Sequence, residues 1–597
     1  GQVDTITDDR GATVFGYDER DRLTSITYPN GKTIDYGYDD AGNRTSLTTA
    51  NQSLSYTFDV LNRLETDTDE AGTSTYSYDA VGNRSGIDYA NGTRTAYVYD
   101  SLNRLTRLDQ FDTLDVLFDQ HSYVLGDNGI RTQHAELNGR VVDYIYDDLY
   151  RLTSETVTDA VLGNRTASWT YDAVGNRLSQ VETDASGTDT TTYVYDLNDR
   201  LLSETVTGVN PGTVTYSYDN NGNTLTRTDG AGTTTYTYDS RNRLSNLNSG
   251  QTTYLYDASG IRMSETSSGL TTHYLTDPNR DYAQVLEESF ELNAFAEVRY
   301  TYGDDLVAQH RRVDATTTTS STYHYDGIGS TRALTDTSGG VTDTYAFTAF
   351  GETEGTTGFT VNDYLYTGEQ YDPNLAFYYL RARYYNAEIG RFQNMDTFAG
   401  RMFEPITLHK YLYANADPVR YTDPSGRVSL LEIKIGITLY ARQAVIAASP
   451  FLYLVNHIAT KLGSSQLAQS IALAANRFTG GIARAVNIHP QTLRLHAGQV
   501  FEKIVNPAMR LLRAQPQHPI FNGAARPDWL LRGKHIVDAK LGQFVNVQQL
   551  EHFVRFALQN QGSITYITLT RVPPTLKQQI YAIARDVPVS FISLTPF

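Results

Sequence analysis

From Tyr17 onward one unit recurs along the chain: a Tyr-Asp pair, a few residues, then Asn-Arg or Gly-Asn-Arg. It stands at Tyr17-Asp18, Tyr38-Asp39, Phe58-Asp59, Tyr78-Asp79 and Tyr99-Asp100. After a gap it returns at Tyr146-Asp147, Tyr171-Asp172, Tyr195-Asp196, Tyr218-Asp219, Tyr238-Asp239 and Tyr256-Asp257. A nearly constant period, most often 20 or 21 residues, marks a repeat architecture in which each unit buries its apolar face against its neighbours. Within a unit, runs such as Thr-Tyr-Ser-Tyr-Asp (215–219) alternate with the period of a strand, and Gly and Asn supply the turns. Each unit is therefore predicted to be a β-hairpin, and the sum one long antiparallel sheet. Accumulated twist and unpaired edges prevent so many strands from staying open, so the sheet is expected to curl into a closed spiral shell.

Composition separates two parts. There is no cysteine, which excludes disulfides and thiolate zinc sites. Residues 428–597 hold 17 Lys+Arg against 6 Asp+Glu, whereas 1–427 hold 32 against 62. An acidic body with a basic tail points to a nucleic-acid partner for the tail, and to an acidic shell interior that retains it electrostatically. No signal peptide is visible. The polar start Gly1-Gln-Val-Asp lies inside the repeat pattern and reads as the interior of a longer chain. The apolar window Gln443–Thr460 is broken by Pro450, Asn456 and His457, which favours a buried helix over a membrane span.

After Gly426 the Tyr-Asp units stop and Ala, Leu and Ile rise. Residues 428–495 read as helices, and 496–597 as a small α/β domain with a helix near Val500, strands at Trp529–Arg532 and His535–Lys540, then helix, strand, helix and strand. Asp538 and Lys540 lie two apart on one strand and so on one face, with Asp528 at the start of the preceding strand. Two carboxylates and an ammonium converging on one spot suit a hard divalent cation, Mg2+ or Mn2+, and a scissile phosphate.

Several segments carry a family resemblance. The Tyr-Asp units, Tyr323-His-Tyr-Asp-Gly-Ile-Gly-Ser-Thr-Arg332, Tyr378-Tyr-Leu-Arg-Ala-Arg-Tyr-Tyr385, Gly390-Arg-Phe-Gln-Asn-Met-Asp396 and the run from Leu408 to Asp423-Pro-Ser-Gly426 resemble the Rhs or YD-repeat toxins, relatives of teneurin and insecticidal toxin-complex shells. The resemblance implies a YD-repeat shell over 1–320, a plug and autoprotease region over 321–427, and a variable toxin beyond. The tail resembles PD-(D/E)xK nucleases. That likeness implies metal ligation by Asp528, Asp538 and Glu502 and a catalytic Lys540. It adds a polar role for Gln548 or Gln549 and phosphate contacts from Arg526, Arg532 and Lys534.

Rhs-type shells sever their own toxin through paired aspartates. Carried over by motif, these are Asp372 and Asp396, with Arg391 nearby and the cut at Arg427-Val428. The chain departs from the family in reading Asp396-Thr-Phe where Asp-Pro is usual, and Arg427 where Leu is usual. The resemblance further implies a secreted or surface-delivered toxin that acts in the target-cell cytoplasm. Its substrate would be DNA, or alternatively RNA; its partners would be an immunity protein in the producer, a secretion apparatus and the shell that holds it. Two other readings stand beside this one: an adhesion shell with an inert tail, and a membrane-active toxin.

Overall fold

The computed structural model describes residues 2–290, 297–400, 405–427 and 429–431, together with five short strands in the C-terminal region. The chain divides into two compact units, 1–436 and 437–597.

In the first unit, 33 strands from Thr5–Asp8 to Thr353–Thr357 form one antiparallel sheet, each strand pairing with the next in sequence. Strand Ser53–Phe58 shows why: Leu54 and Tyr56 are buried while Ser53, Ser55 and Thr57 are exposed, so a period of two places one face against the core.

The Tyr-Asp unit is the device that ends one strand and starts the next. The incoming strand shifts register at the Tyr, as between Gly37 and Tyr38 or Ser77 and Tyr78. The Asp then closes the loop. Asp59 Oδ1 accepts from the backbone N–H groups of Leu61 (2.8 Å) and Arg63 (3.0 Å), and its Oδ2 accepts from Arg63 Nε at 2.7 Å. Where Asn occupies the fourth position, as Asn83, its amide donates to Asp79 Oδ2 at 2.8 Å instead. The third residue after the Asp is left-handed, with φ of 61° at Asn62 and 100° at Gly82, which is why Gly and Asn recur there.

In several units the Tyr hydroxyl donates back across its hairpin to a backbone carbonyl: Tyr78 to Leu64 (2.8 Å), Tyr99 to Arg84 (3.0 Å), Tyr146 to Arg131 (2.8 Å). The Arg of one unit covers the ring of the next, Arg63 lying 4.2 Å from the Tyr78 centroid and Arg151 4.9 Å from that of Tyr171. The gap between Asp100 and Tyr146 is no break in the fold. Strands continue through it, and Gly126 and Gly129 make the turn that Tyr-Asp makes elsewhere.

The sheet coils back onto itself. Tyr28 donates to the Thr276 carbonyl, 248 residues away, and Tyr56 to that of Tyr302. Arg44 pairs with Asp277 at 2.7 Å and Arg332 with Glu136 at 2.7 Å. By Glu155, which accepts from the Ala349 N–H, the separation has fallen to 194 residues. The later turn is the shorter one. Ile26, Ile34, Leu47 and Leu54 of the first turn share a core cluster with Leu286, Val298, Tyr300 and Tyr323 of the second. This is the burial that holds the coil closed.

The sheet runs across the boundary expected at 320/321, which falls inside strand Thr318–Tyr325. The architecture changes after Thr357, where a four-stranded sheet follows: Gln370–Asp372, Phe377–Leu380, Arg383–Asn386 and Arg391–Phe392. Aromatic stacking holds it, with the Tyr385 and Tyr413 centroids 3.8 Å apart.

In the second unit five strands form one mixed sheet in sequence order: 515–516, 529–531, 535–540, 564–568 and 589–593. The first two junctions are antiparallel and the last two parallel. The helices expected over 428–495 lie outside the described residues.

Candidate functional site

At the end of the first unit, strand Arg383–Asn386 carries a buried cation between two buried carboxylates. Arg383 Nη2 lies 3.0 Å from Asp396 Oδ2 and 3.5 Å from Asp423 Oδ2. Its Nη1 donates to the Lys410 carbonyl at 2.9 Å, and its Nε donates to the Gly426 carbonyl. All three side chains are less than a tenth exposed.

The two carboxylates are held differently. Asp396 accepts one backbone N–H, from Phe398 at 2.7 Å. Burial and the charge of Asp423 raise its pKa, and Arg383 opposes them. Asp423 Oδ1 accepts from the Arg427 N–H (3.0 Å) and from Ser425 Oγ (3.0 Å). Burial pushes Arg383 down to about 10, with Arg427 adding like-charge repulsion.

The backbone that the group grips is the last described turn of the shell, Asp423-Pro-Ser-Gly426. Gly426 has φ +64°, and a Cβ there would overlap the Leu380 carbonyl oxygen, so only glycine fits. An arginine on the carbonyl of a glycine, a buried acid with a raised pKa and a carboxylate held by two donors are components that acid–base attack on a nearby peptide bond requires.

The expected pair of Asp372 and Asp396 does not form. Asp372, 1 % exposed, sits in a separate cluster, paired with Arg262 at 3.1 Å, while Arg262 also donates to Gln370 Oε1 (2.7 Å) and Tyr384 Oη (3.1 Å). Burial and nearby Glu265 raise the Asp372 pKa to about 6. Arg391 is also elsewhere: it donates to Asn176 Oδ1 at 2.8 Å and to the Asp199 carbonyl, and clamps the plug to the repeat turns. The residues missed from sequence are Asp423 and Arg383. The signal for the first was the second Asp-Pro turn, which directly precedes the expected cut. Val428 lies outside the described residues.

In the second unit, Asp538 and Lys540 lie on strand His535–Lys540, the central one of five, in register with Tyr566 and Thr568 of the parallel neighbour. Glu502, Asp528, Gln548, Gln549, Arg526, Arg532 and Lys534 lie outside the described residues.

Comparison with known proteins follows the same division. The RHS Repeat family matches residues 1–33 and 17–54, and the Teneurin YD-shell family matches 130–313. Two curated relatives are 29 % identical over 316 residues: the tRNA nuclease WapA of Bacillus subtilis and the tRNA3(Ser)-specific nuclease WapA of Bacillus spizizenii. The match covers 51 % of this chain and 12 % of each relative, so the chain spans a small fraction of the curated relatives it matches. Among solved structures, a TcdB2-TccC3-TEV crystal structure aligns over 71 % of this chain and 24 % of its own, at TM-score 0.50 and 16 % identity. A Photorhabdus luminescens Tc holotoxin pore aligns over 71 % and 23 %, at TM-score 0.52 and 16 % identity. These two share the fold. The hairpin spiral, the repeat chemistry that builds it and the family matches agree: over residues 1–54 and 130–313 the chain is built as an Rhs-repeat, YD-shell sequence.

Proposed function

We propose that this chain is a polymorphic toxin whose β-shell cuts itself from, and retains, a C-terminal metal-dependent nuclease. The observation that carries the reading is the Asp396–Arg383–Asp423 group on the last turn of the shell, ahead of a compositionally distinct basic unit. In the proposed cut, Asp423 takes a proton from water as it adds to the Arg427 carbonyl carbon. Asp396, biased toward its protonated form, gives its proton to the departing Val428 nitrogen. Arg383 fixes the Gly426 carbonyl and so the next peptide bond.

In the tail the proposed chemistry is phosphodiester hydrolysis. The donor set suits a hard cation, Mg2+ or Mn2+: Glu502, Asp528 and Asp538 are three of only six acids in 428–597, and the chain has no thiol. Such an ion supplies charge stabilisation and an activated water when bound. Lys540 would offset charge on the phosphate, Gln549 would contact phosphate or water, and Arg526, Arg532 and Lys534 would hold the nucleic-acid backbone. The WapA relatives, named as tRNA nucleases, make tRNA the first substrate to test, ahead of the DNA favoured by sequence alone. An immunity protein, an export apparatus and action in a target-cell cytoplasm belong to the same proposal.

Purified full-length protein should degrade tRNA or plasmid DNA only with Mg2+ or Mn2+, and Asp538→Ala and Lys540→Ala should each abolish this. Degradation that survives both substitutions would remove the proposed site. Liposome leakage unaffected by both would favour membrane action instead.

A further inference from the structure

Among the described residues, the polar clusters outside the site described above include Asp67 with Asp304 near Arg84, Glu288 with Asp363, and a pair of buried histidines. The histidines carry the argument furthest. Strands Leu117–Leu125 and Arg131–Glu136 pair so that His121 lies opposite Glu136 and Tyr123 opposite His134. Residues two apart on either strand share a face, so His121, His134 and Glu136 converge on one patch of the sheet. His121 is 0 % exposed and His134 6 %. His121 Nδ1 lies 2.9 Å from His134 Nε2, and one nitrogen from each His together with a Glu136 carboxylate oxygen all fall within 4.8 Å of one another.

The surroundings are those of ligands rather than of a plain hydrogen bond. Asp119 Oδ2 lies 3.0 Å from His121 Nε2, so the carboxylate accepts from the Nε2–H and leaves the Nδ1 lone pair facing the cluster. Tyr123 lies against the other ring, with centroids 4.9 Å apart, and fixes the plane of His134.

Glu136 Oε1 meets Arg332 at 2.7 Å and Arg140 at 3.4 Å. Those arginines have their own compensation. Arg332 also faces Asp326 at 3.4 Å, and Arg140 faces Asp159 at 3.3 Å and Glu354. Arg131 stacks on Tyr123. Asp119 and Glu136 thus bring two carboxylates to the two imidazoles.

We propose that His121, His134 and Glu136 bind one divalent transition-metal ion of the Zn2+ class, with Asp119 as the carboxylate that orients His121. Two imidazoles and a carboxylate are a borderline donor set that selects Zn2+, Co2+ or Ni2+ over Mg2+ and leaves a fourth position for water. Donors on one tetrahedral ion stand about 3.4 Å apart, and these three already lie within 4.8 Å of one another. On binding, the proton on His134 Nε2 moves to Nδ1 or to solvent. Loaded, the ion clips two strands together at the level where Arg332 of the second turn grips Glu136.

The test uses untagged full-length protein, stripped with chelator and titrated with Co2+ and, separately, Zn2+. One equivalent of Co2+ should give the visible absorption of a four-coordinate nitrogen–oxygen site, displaceable by Zn2+, and Zn2+ should raise the unfolding temperature. His134→Gln should lose the band, and Asp119→Asn should weaken affinity about 10- to 100-fold. Asp538→Ala should keep the band, which separates this site from the proposed nuclease site. If His134→Gln does not fold, Glu136→Gln replaces it. Absence of a stoichiometric band in the folded wild-type chain, or its persistence in either ligand variant, would overturn the proposal.

Discussion

Replacing Asp423 with Asn separates the pair that the structure assembles from the pair read from sequence. Both contacts of Asp396 and Asp423 fall on one nitrogen of Arg383, so the two carboxylates are no more than about 6.5 Å apart. At an effective dielectric near 20, two negative charges at about 6 Å repel by about 3 kcal/mol, enough to keep one of them protonated near neutrality unless the arginine offsets it. Losing either acid or base function in such a pair costs about 100- to 10,000-fold in rate. Asp423→Asn and Asp396→Asn should therefore each yield one full-length band on a denaturing gel, where the wild type yields fragments 1–427 and 428–597. Asp372→Asn should still cut, because Asp372 is paired with Arg262 in another cluster. The raised pKa of Asp396 also sets a sign: its proton is needed, so cutting should slow as pH rises through that pKa. Arg383→Met should abolish cutting and destabilise the plug by about 3 to 5 kcal/mol, since two buried carboxylates lose their counter-ion. Wild-type cutting by Asp423→Asn, or loss of cutting in Asp372→Asn alone, would refute the assignment.

Other outcomes follow from the same contacts. Asp59→Ala removes two backbone hydrogen bonds and the Arg63 contact from one turn and should cost about 2 kcal/mol in denaturant unfolding; Asp40→Ala, on an exposed tip, should leave the midpoint unchanged. Asp372 is held above its ordinary range in the folded state, so the folded chain binds the extra proton and its stabilising contribution is lost as pH rises through about 6. Melting temperature should accordingly fall between about pH 4 and pH 6, and Asp372→Asn should flatten that slope. An unchanged slope would show that another group is responsible.

The repeat was legible because its chemistry is local. Asp at one position, a left-handed Gly or Asn three residues on and Asn or Arg at the fourth close a loop from within six residues, and strand alternation needs no distant partner. Even the degenerate unit at Gly126–Ile130 keeps the same turn bond without the Tyr-Asp letters. The plug was harder to read. Its charged residues take partners far away in the chain, such as Arg262 for Asp372 and Asn176 for Arg391, and a motif gives no measure of which carboxylates meet.

What the residues alone determined is thus the hairpin unit, the spiral sheet and the change of character after Gly426, because hydrophobic period and turn conformation act over a few residues. Tertiary structure decided which turn lies on which, that Arg383 joins Asp396 to Asp423, and that two histidines of neighbouring strands face one glutamate. Those pairings depend on the register of the strands and the circumference of the coil. Both are set by many weak contacts summed around the closed sheet, and no single segment contains them.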